Sequence, residues 1–260
     1  MKKQTLIMLH GFRGTHHGLQ LVARRLKNFE IIIPDMPGYA KGDKLASYDL
    51  DAYVTWTHEL ILKQKLTTAP ILLGHSFGSI IASAYAAKYP DTIAKLILEN
   101  PIGAPALHGP HAIISQLGVA YYWVGTKLPA TLAHSWLSSK FVTFFITISM
   151  AKTKDKKLRA FIFDQHNRYF NQFHDAKSVA DGFKTSISHN VRDFAGKIST
   201  PTLLIAAAQD DITTVEQQKE LLKLFPNARL EIIENVGHLT HYETPAEVAK
   251  LIQAFSIIDV

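Results

Sequence analysis

The sequence predicts an α/β protein: one parallel sheet of about six strands, helices on both faces, and a helical insertion that divides the sheet into two halves. Three observations predict it. Short β-type apolar runs alternate with helix-compatible stretches over Gln4 to about Leu98, as expected of parallel strands joined by crossover helices. The alternation stops from Pro101 to about Phe194 and resumes at Thr202. Finally, Gly74-His75-Ser76-Phe77-Gly78 follows directly on the apolar run Ala69-Pro70-Ile71-Leu72-Leu73. A strand entering a helix through Gly-x-Ser-x-Gly makes a tight, strained turn that lifts the serine Oγ above the sheet edge.

The elements follow in order. Strand one is Gln4–Leu9, followed by a helix near Gly18–Asn28 and strand two at Phe29–Ile33. Pro34-Asp35-Met36-Pro37-Gly38-Tyr39 is dense in turn formers and reads as a loop. An amphipathic stretch predicts a helix over about Leu50–Leu66, before strand three at Ile71–His75. Ser79 to Tyr89 reads as a small-residue helix stopped by Pro90. Strand four is Ile93–Leu98 and strand five Thr202–Ala207. A helix at Val215–Phe225, strand six at Arg229–Glu234 and a last helix at about Pro245–Phe255 complete the chain. The insertion therefore leaves the sheet where ligands bind in open α/β folds, at the carboxyl ends of strands, and is placed to act as a lid.

Composition narrows the class. The chain has 260 residues, 47% hydrophobic, enough for one large domain with an insertion. It has no cysteine, which removes disulfides and thiolate chemistry and fits a cytoplasmic protein. The start, Met1 to His10, has too short an apolar part for a signal peptide and reads as the first strand. Net charge is +6, with a basic cluster from Lys152 to Arg159 that reads as a solvated helix face. No nucleic-acid motif is present, and the basic residues lack interleaved aromatics. Phe141–Met150 is strongly apolar but far shorter than the ~20 residues a membrane span needs. It reads as a buried helix; membrane contact is permitted but not expected.

A serine hydroxyl needs a base to become a nucleophile, and the base needs an acid to fix its tautomer. Ser76 is the nucleophile candidate. His238, in Asn235-Val236-Gly237-His238 just past the last strand, is the base. Asp210 and Asp211 both follow strand five; Asp211 is the expected acid, because Asp210 is the better placed to brace the turn. Glu99, ending strand four, is the fallback. An oxyanion hole needs two backbone N–H groups, expected from Phe77 and from Phe12 in the turn His10-Gly11-Phe12-Arg13-Gly14. His10, Gly11, Gly74, His75 and Gly78 are expected to support these turns. No metal and no cofactor are needed. His16-His17, His108 with His111, and His238 with His241 read as surface or packing histidines rather than metal ligands.

These segments, with Pro34–Tyr39, Ile198–Ile205, and Gly237-His238 followed by Glu243-Thr244-Pro245, together resemble the α/β-hydrolase superfamily over roughly residues 4–100 and 191–256. The resemblance implies a Ser-His-Asp hydrolase with a helical cap, similar to carboxylesterases, lipase-like enzymes and carbon–carbon bond hydrolases. It implies a core of residues 1–103 and 192–260 and a cap of 104–191. Two departures stand out: the two N-terminal strands usual in the family are missing, and Ala208 occupies a position where many relatives have glycine before the acid loop.

The expected reaction is hydrolysis of a small-molecule carboxylic ester of small to medium apolar character through an acyl-enzyme, by a monomer or homodimer. Cap aromatics, Trp123, Trp136 and Phe144 foremost, are expected to line the substrate pocket. Carbon–carbon hydrolysis of a ring-cleavage diketone is the alternative, with Arg168 or Arg192 holding a carboxylate. A non-catalytic ligand-binding protein of the same fold is the third reading.

Overall fold

The computed structural model describes residues 3–105 and 112–257. Six strands, β1 (Gln4–Leu9), β2 (Phe29–Ile32), β3 (Ile71–His75), β4 (Lys95–Glu99), β5 (Thr202–Ala207) and β6 (Ala228–Ile233), form one sheet. Its order is β2-β1-β3-β4-β5-β6 and every pairing is parallel.

The central strands are apolar at nearly every position because both faces are covered. Ile7, Leu9, Leu72, Leu96, Leu98 and Leu204 enter one core. Leu6, Met8, Ile71, Leu73, Ile97 and Leu203 enter the other. The helices α1 (His16–Ala23) and α12 (Pro245–Ile257) cover the second face. The helices α2 (Leu50–Lys63), α3 (Phe77–Lys88), α9 (Arg192–Ala195) and α10 (Val215–Leu222) cover the first.

Several boundaries differ from the sequence reading, among them three that bear on the site. The helix after Ser76 starts at Phe77 rather than Ser79, since Ser79 N–H already bonds the Ser76 carbonyl in the first turn. Strand β4 starts at Lys95 and includes Glu99, because the pairing with β3 runs from Ile71↔Lys95 to His75↔Glu99. Helix α1 begins at His16, after Thr15 in extended conformation, and ends at Ala23.

Between β4 and α9 the regular elements among the described residues are all helices: α4 (Ala112–Lys127), α5 (Ala130–Leu137), α6 (Lys140–Met150), α7 (Lys156–Tyr169) and α8 (Ala176–Ser188). This helical segment is tied to the loop after β2. Ala40 N–H donates to the Gln172 carbonyl at 2.7 Å, and His174 N–H to the Gly38 carbonyl at 3.0 Å. His108 and His111 lie outside the described residues. No described helix is long and apolar enough to cross a membrane.

Candidate active site

The carboxyl ends of β1, β3, β4 and β5 form one rim, with Leu9 opposite Gly74, His75 opposite Glu99, and Glu99 opposite Ile205. Every polar candidate sits on that rim or on the loops above it.

Ser76 has φ 51° and ψ −116°, a region that costs a non-glycine residue about 1–3 kcal/mol. The surroundings hold it there. Its N–H donates to the Glu99 carbonyl at 3.0 Å, and its own carbonyl accepts from Ser79 N–H at 2.8 Å. Gly74 and Gly78 are required by close approach. A Cβ on Gly74 would lie 2.2 Å from the Gly78 carbonyl oxygen, and one on Gly78 would lie 2.4 Å from that of Leu9.

His238 Nε2 lies 2.8 Å from Ser76 Oγ, and His238 Nδ1 lies 2.7 Å from Asp210 Oδ2. Ser76 can thus donate to Nε2 while Nδ1–H donates to the carboxylate. The carboxylate that meets His238 is Asp210, where the sequence reading expected Asp211. Asp211 is exposed and pairs with Lys152. The reasoning that favoured Asp211 treated bracing the turn and orienting the histidine as exclusive tasks, but one carboxylate has acceptor capacity for both. Asp210 Oδ1 accepts from Ile212 N–H at 2.8 Å and Thr213 N–H at 3.1 Å. Oδ2 accepts from His238, from Thr213 Oγ1 at 2.6 Å and from Asn100 Nδ2 at 2.9 Å. Burial by itself would raise the Asp210 pKa; the His238 charge and these hydrogen bonds outweigh it and hold the carboxyl below the ordinary range. Ala208 is not among the residues with positive φ, so the alanine fits the turn without strain.

Glu99 makes no hydrogen bond to His238. Its Oε1 lies 2.6 Å from Thr240 Oγ1, which lies 2.8 Å from Asn100 Oδ1. Thr240 has one hydroxyl proton for two oxygens. If it donates to Asn100, Glu99 must carry a proton and donate to Thr240. Burial agrees, pushing the Glu99 carboxyl up to about 7. The series then runs Glu99, Thr240, Asn100, Asp210, His238, Ser76, each donor having an acceptor. Sequence reasoning missed Asn100 and Thr240, because neither residue type marks a site without its neighbours.

The turn after β1 passes close to Ser76: a Cβ on Gly11 would lie 3.3 Å from Ser76 Cβ and 3.0 Å from His75 Nδ1. Phe12 and Phe77 flank it, with rings 6.5 Å apart. Neither backbone N–H has an acceptor among the described residues. His10 donates from Nδ1 to the Gly11 carbonyl at 2.9 Å and accepts Met36 N–H at Nε2, also at 2.9 Å. His75 Nε2 lies 3.2 Å from the His238 carbonyl. Burial lowers His10 to about 4 and His75 to about 3. Both are neutral braces, one for the Phe12 turn and one for the His238 loop.

The aromatic residues over this turn are not the expected ones. Trp123, Trp136 and Phe144 are 59%, 43% and 41% exposed and lie on the outside of their helices. Tyr122 and Phe183 are the ones that meet Phe12, with ring centres 5.7 and 5.5 Å away. Tyr122 neighbours Trp123 in sequence but faces inward, and helix phase alone did not separate them. Arg168 pairs with Asp164 on the surface, and Arg192 is exposed. His16 bonds Asp35 and packs, tilted, against His17, which stacks on Tyr169. Among the described residues no three His, Asp or Glu side chains cluster to hold a metal ion.

A strand-to-helix turn carrying a strained serine, with a buried histidine and carboxylate in line behind it, is found with the sheet expected for one family. The chain belongs to the alpha/beta hydrolase fold family, whose model matches residues 4–245. It is 27% identical over 267 residues to Lipase 1 of Psychrobacter immobilis, covering 98% of this chain and 77% of that protein. It is also 27% identical over 261 residues to human monoacylglycerol lipase ABHD6, covering 97% and 75%. A thermophilic esterase from Thermogutta terrifontis shares the fold with a TM-score of 0.81 at 21% identity, covering 98% of this chain and 90% of that one. The protein is a hydrolase of the α/β fold.

Proposed function

We propose that the protein is a serine esterase that cleaves carboxylic esters of small to medium apolar acyl substrates through an acyl-enzyme on Ser76. One observation carries the reading: the unbroken series from Ser76 Oγ to His238 at 2.8 Å and from His238 to Asp210 at 2.7 Å. His238 takes the Ser76 proton at Nε2 as Oγ attacks the ester carbonyl. The oxyanion is stabilised by the Phe12 and Phe77 N–H groups, and Asp210 stabilises the imidazolium through Nδ1–H. His238 returns the proton to the departing alcohol. It then takes a proton from water, whose oxygen attacks the acyl carbon, and passes that proton to Ser76 Oγ as the acid leaves.

The helices α4 to α8 serve as a cap. Phe12, Tyr122 and Phe183 supply an apolar wall for the acyl chain. The relatives named lipases and a monoacylglycerol lipase support acyl glycerols as members of this substrate class. No observation favours carbon–carbon hydrolysis: Arg168 pairs with Asp164 on the surface and Arg192 is exposed, so neither is committed as a carboxylate anchor.

The test is a p-nitrophenyl ester series from acetate to palmitate, with wild type and Ser76→Ala. The expected result is turnover that favours medium chains and disappears in the variant. Equal turnover in Ser76→Ala, or none in the wild type, would overturn the reading; the latter with ligand binding would point to the non-catalytic alternative.

A further inference from the structure

Helix α6 is amphipathic in the wrong sense for water. Its buried residues are Thr143 and Thr147, while Phe141, Phe144, Phe145 and Ile148 face solvent. Thr147 Oγ1 bonds the Thr143 carbonyl at 2.7 Å and His166 Nδ1 at 2.8 Å, so the inward face is committed to polar contacts. The outward face is one stripe at helical spacing. Phe141 and Phe144 each pack on Phe145, with ring centres 4.6 and 5.6 Å away, and Phe144 also meets Phe163 of α7. Phe141 is 70% exposed and Phe145 54%. A contiguous apolar patch of this kind marks an interaction site rather than ordinary surface.

Charge says what covers it. From residue 100 to 163 the chain has seven Lys and Arg residues and one acid, Asp155, so this segment carries an excess equal to the whole chain's +6. Asp155 is spent within the fold, capping α7 through Lys157 and Leu158 N–H. Lys140 opens α6, and Lys154, Lys156, Lys157 and Arg159 follow it at the start of α7; no carboxylate among the described residues pairs with any of them.

We infer that α6 and the start of α7 form a docking surface for an anionic lipid bilayer. At ~1.5 Å per residue a helix as short as Lys140–Met150 cannot cross a hydrocarbon core of about 30 Å. It lies in the interface instead, aromatics toward the acyl chains and lysines toward the headgroups. The Met150 carbonyl at the end of α6 accepts the His238 N–H at 3.1 Å. The docked helix therefore abuts the loop that carries the base, and esters drawn from the bilayer reach the site beside it.

The experiment is co-sedimentation of the full chain with vesicles of phosphatidylcholine alone and of phosphatidylcholine with phosphatidylglycerol. Because it reads binding and not turnover, Ser76→Ala should bind as the wild type does, and the result stands apart from the catalytic proposal. The wild type should sediment with the anionic vesicles and be released by salt. Phe141→Glu with Phe145→Glu, and separately Lys156→Glu with Lys157→Glu, should each weaken binding about tenfold or more while leaving p-nitrophenyl acetate turnover unchanged. No sedimentation with either vesicle, or equal sedimentation with both and no effect of the lysine changes, would overturn the inference. So would self-association abolished by Phe141→Glu with Phe145→Glu in a protein that ignores vesicles, since a second copy would then be the occupant.

Discussion

At the scale of single residues, the Asp210–Asp211 pair separates a buried role from an exposed one. Asp210 is buried and accepts five hydrogen bonds, from His238, Asn100, the Thr213 side chain, and the backbones of Ile212 and Thr213. Asp211 makes one surface ion pair with Lys152. Asp210→Asn cannot accept from His238 Nδ1–H without turning the amide or the tautomer, so kcat for an ester should fall roughly 10³–10⁴-fold. Asp211→Asn loses only an exposed pair, and kcat should stay within about twofold. Steady-state kinetics on one soluble ester compares them, and a larger loss in Asp211→Asn would refute the assignment. Ser76 and His238 were legible in the sequence because each lies in a short motif tied to a strand end. The acid was legible only to within two neighbours, because which of two adjacent carboxylates turns inward is decided not by Thr213 alone, three residues on, but also by Asn100 and the His238 loop, both distant in sequence.

At the scale of elements, the sheet was legible and the seating of the insertion was not. Strands covered on both faces announce themselves as apolar runs, so β1, β3 and β5 have the bounds the sequence predicts. Helix α6 reads from its composition as buried, yet it presents its phenylalanines outward, because burial depends on which face finds a partner. Arg13 was also illegible. It sits in the turn after β1 with φ 58° and is 1% exposed. Its guanidinium donates to the Phe170 carbonyl at 3.0 Å, the Leu137 carbonyl at 2.8 Å and Asn171 Oδ1 at 2.7 Å, and lies over the Phe170 ring. One side chain of the Phe12 turn thus joins the ends of α5 and α7. Arg13→Lys keeps the charge but cannot span these acceptors, leaving a buried ammonium and unmatched carbonyls. It should lose roughly 2–4 kcal/mol in chemical denaturation and open the insertion to limited proteolysis. Wild-type stability in Arg13→Lys would show that the contact does not hold the insertion down.

For the whole molecule, the buried histidines set the acid limit of the fold. His10 and His166 are lowered to about 4, His75 to about 3, and His241 well below the ordinary value, burial being the largest cause in each. The unfolded chain takes protons on these groups as pH falls through about 6.5, whereas the folded chain refuses them until far lower. Their contribution is therefore fully present above pH 6.5 and is lost as pH falls toward the folded values. Glu99 acts in the opposite sense. Its folded value of about 7 lies above the 4.5 of an ordinary glutamate, so between those values the folded state holds a proton that the unfolded state has lost. His10, His75 and His166 less Glu99 leave about two protons taken up on unfolding near pH 5.5, or about 3 kcal/mol per pH unit, and His241 adds in the same direction. Against a typical stability of about 5–15 kcal/mol, that slope should unfold the protein between about pH 4 and 5.5. The depressed Asp210 comes into play only below that window. Chemical denaturation at half-unit steps from pH 5 to 8 measures the slope directly. A stability flat across pH 5 to 6.5 would mean that the histidines bracing the Phe12 turn and the His238 loop are not held neutral by the fold.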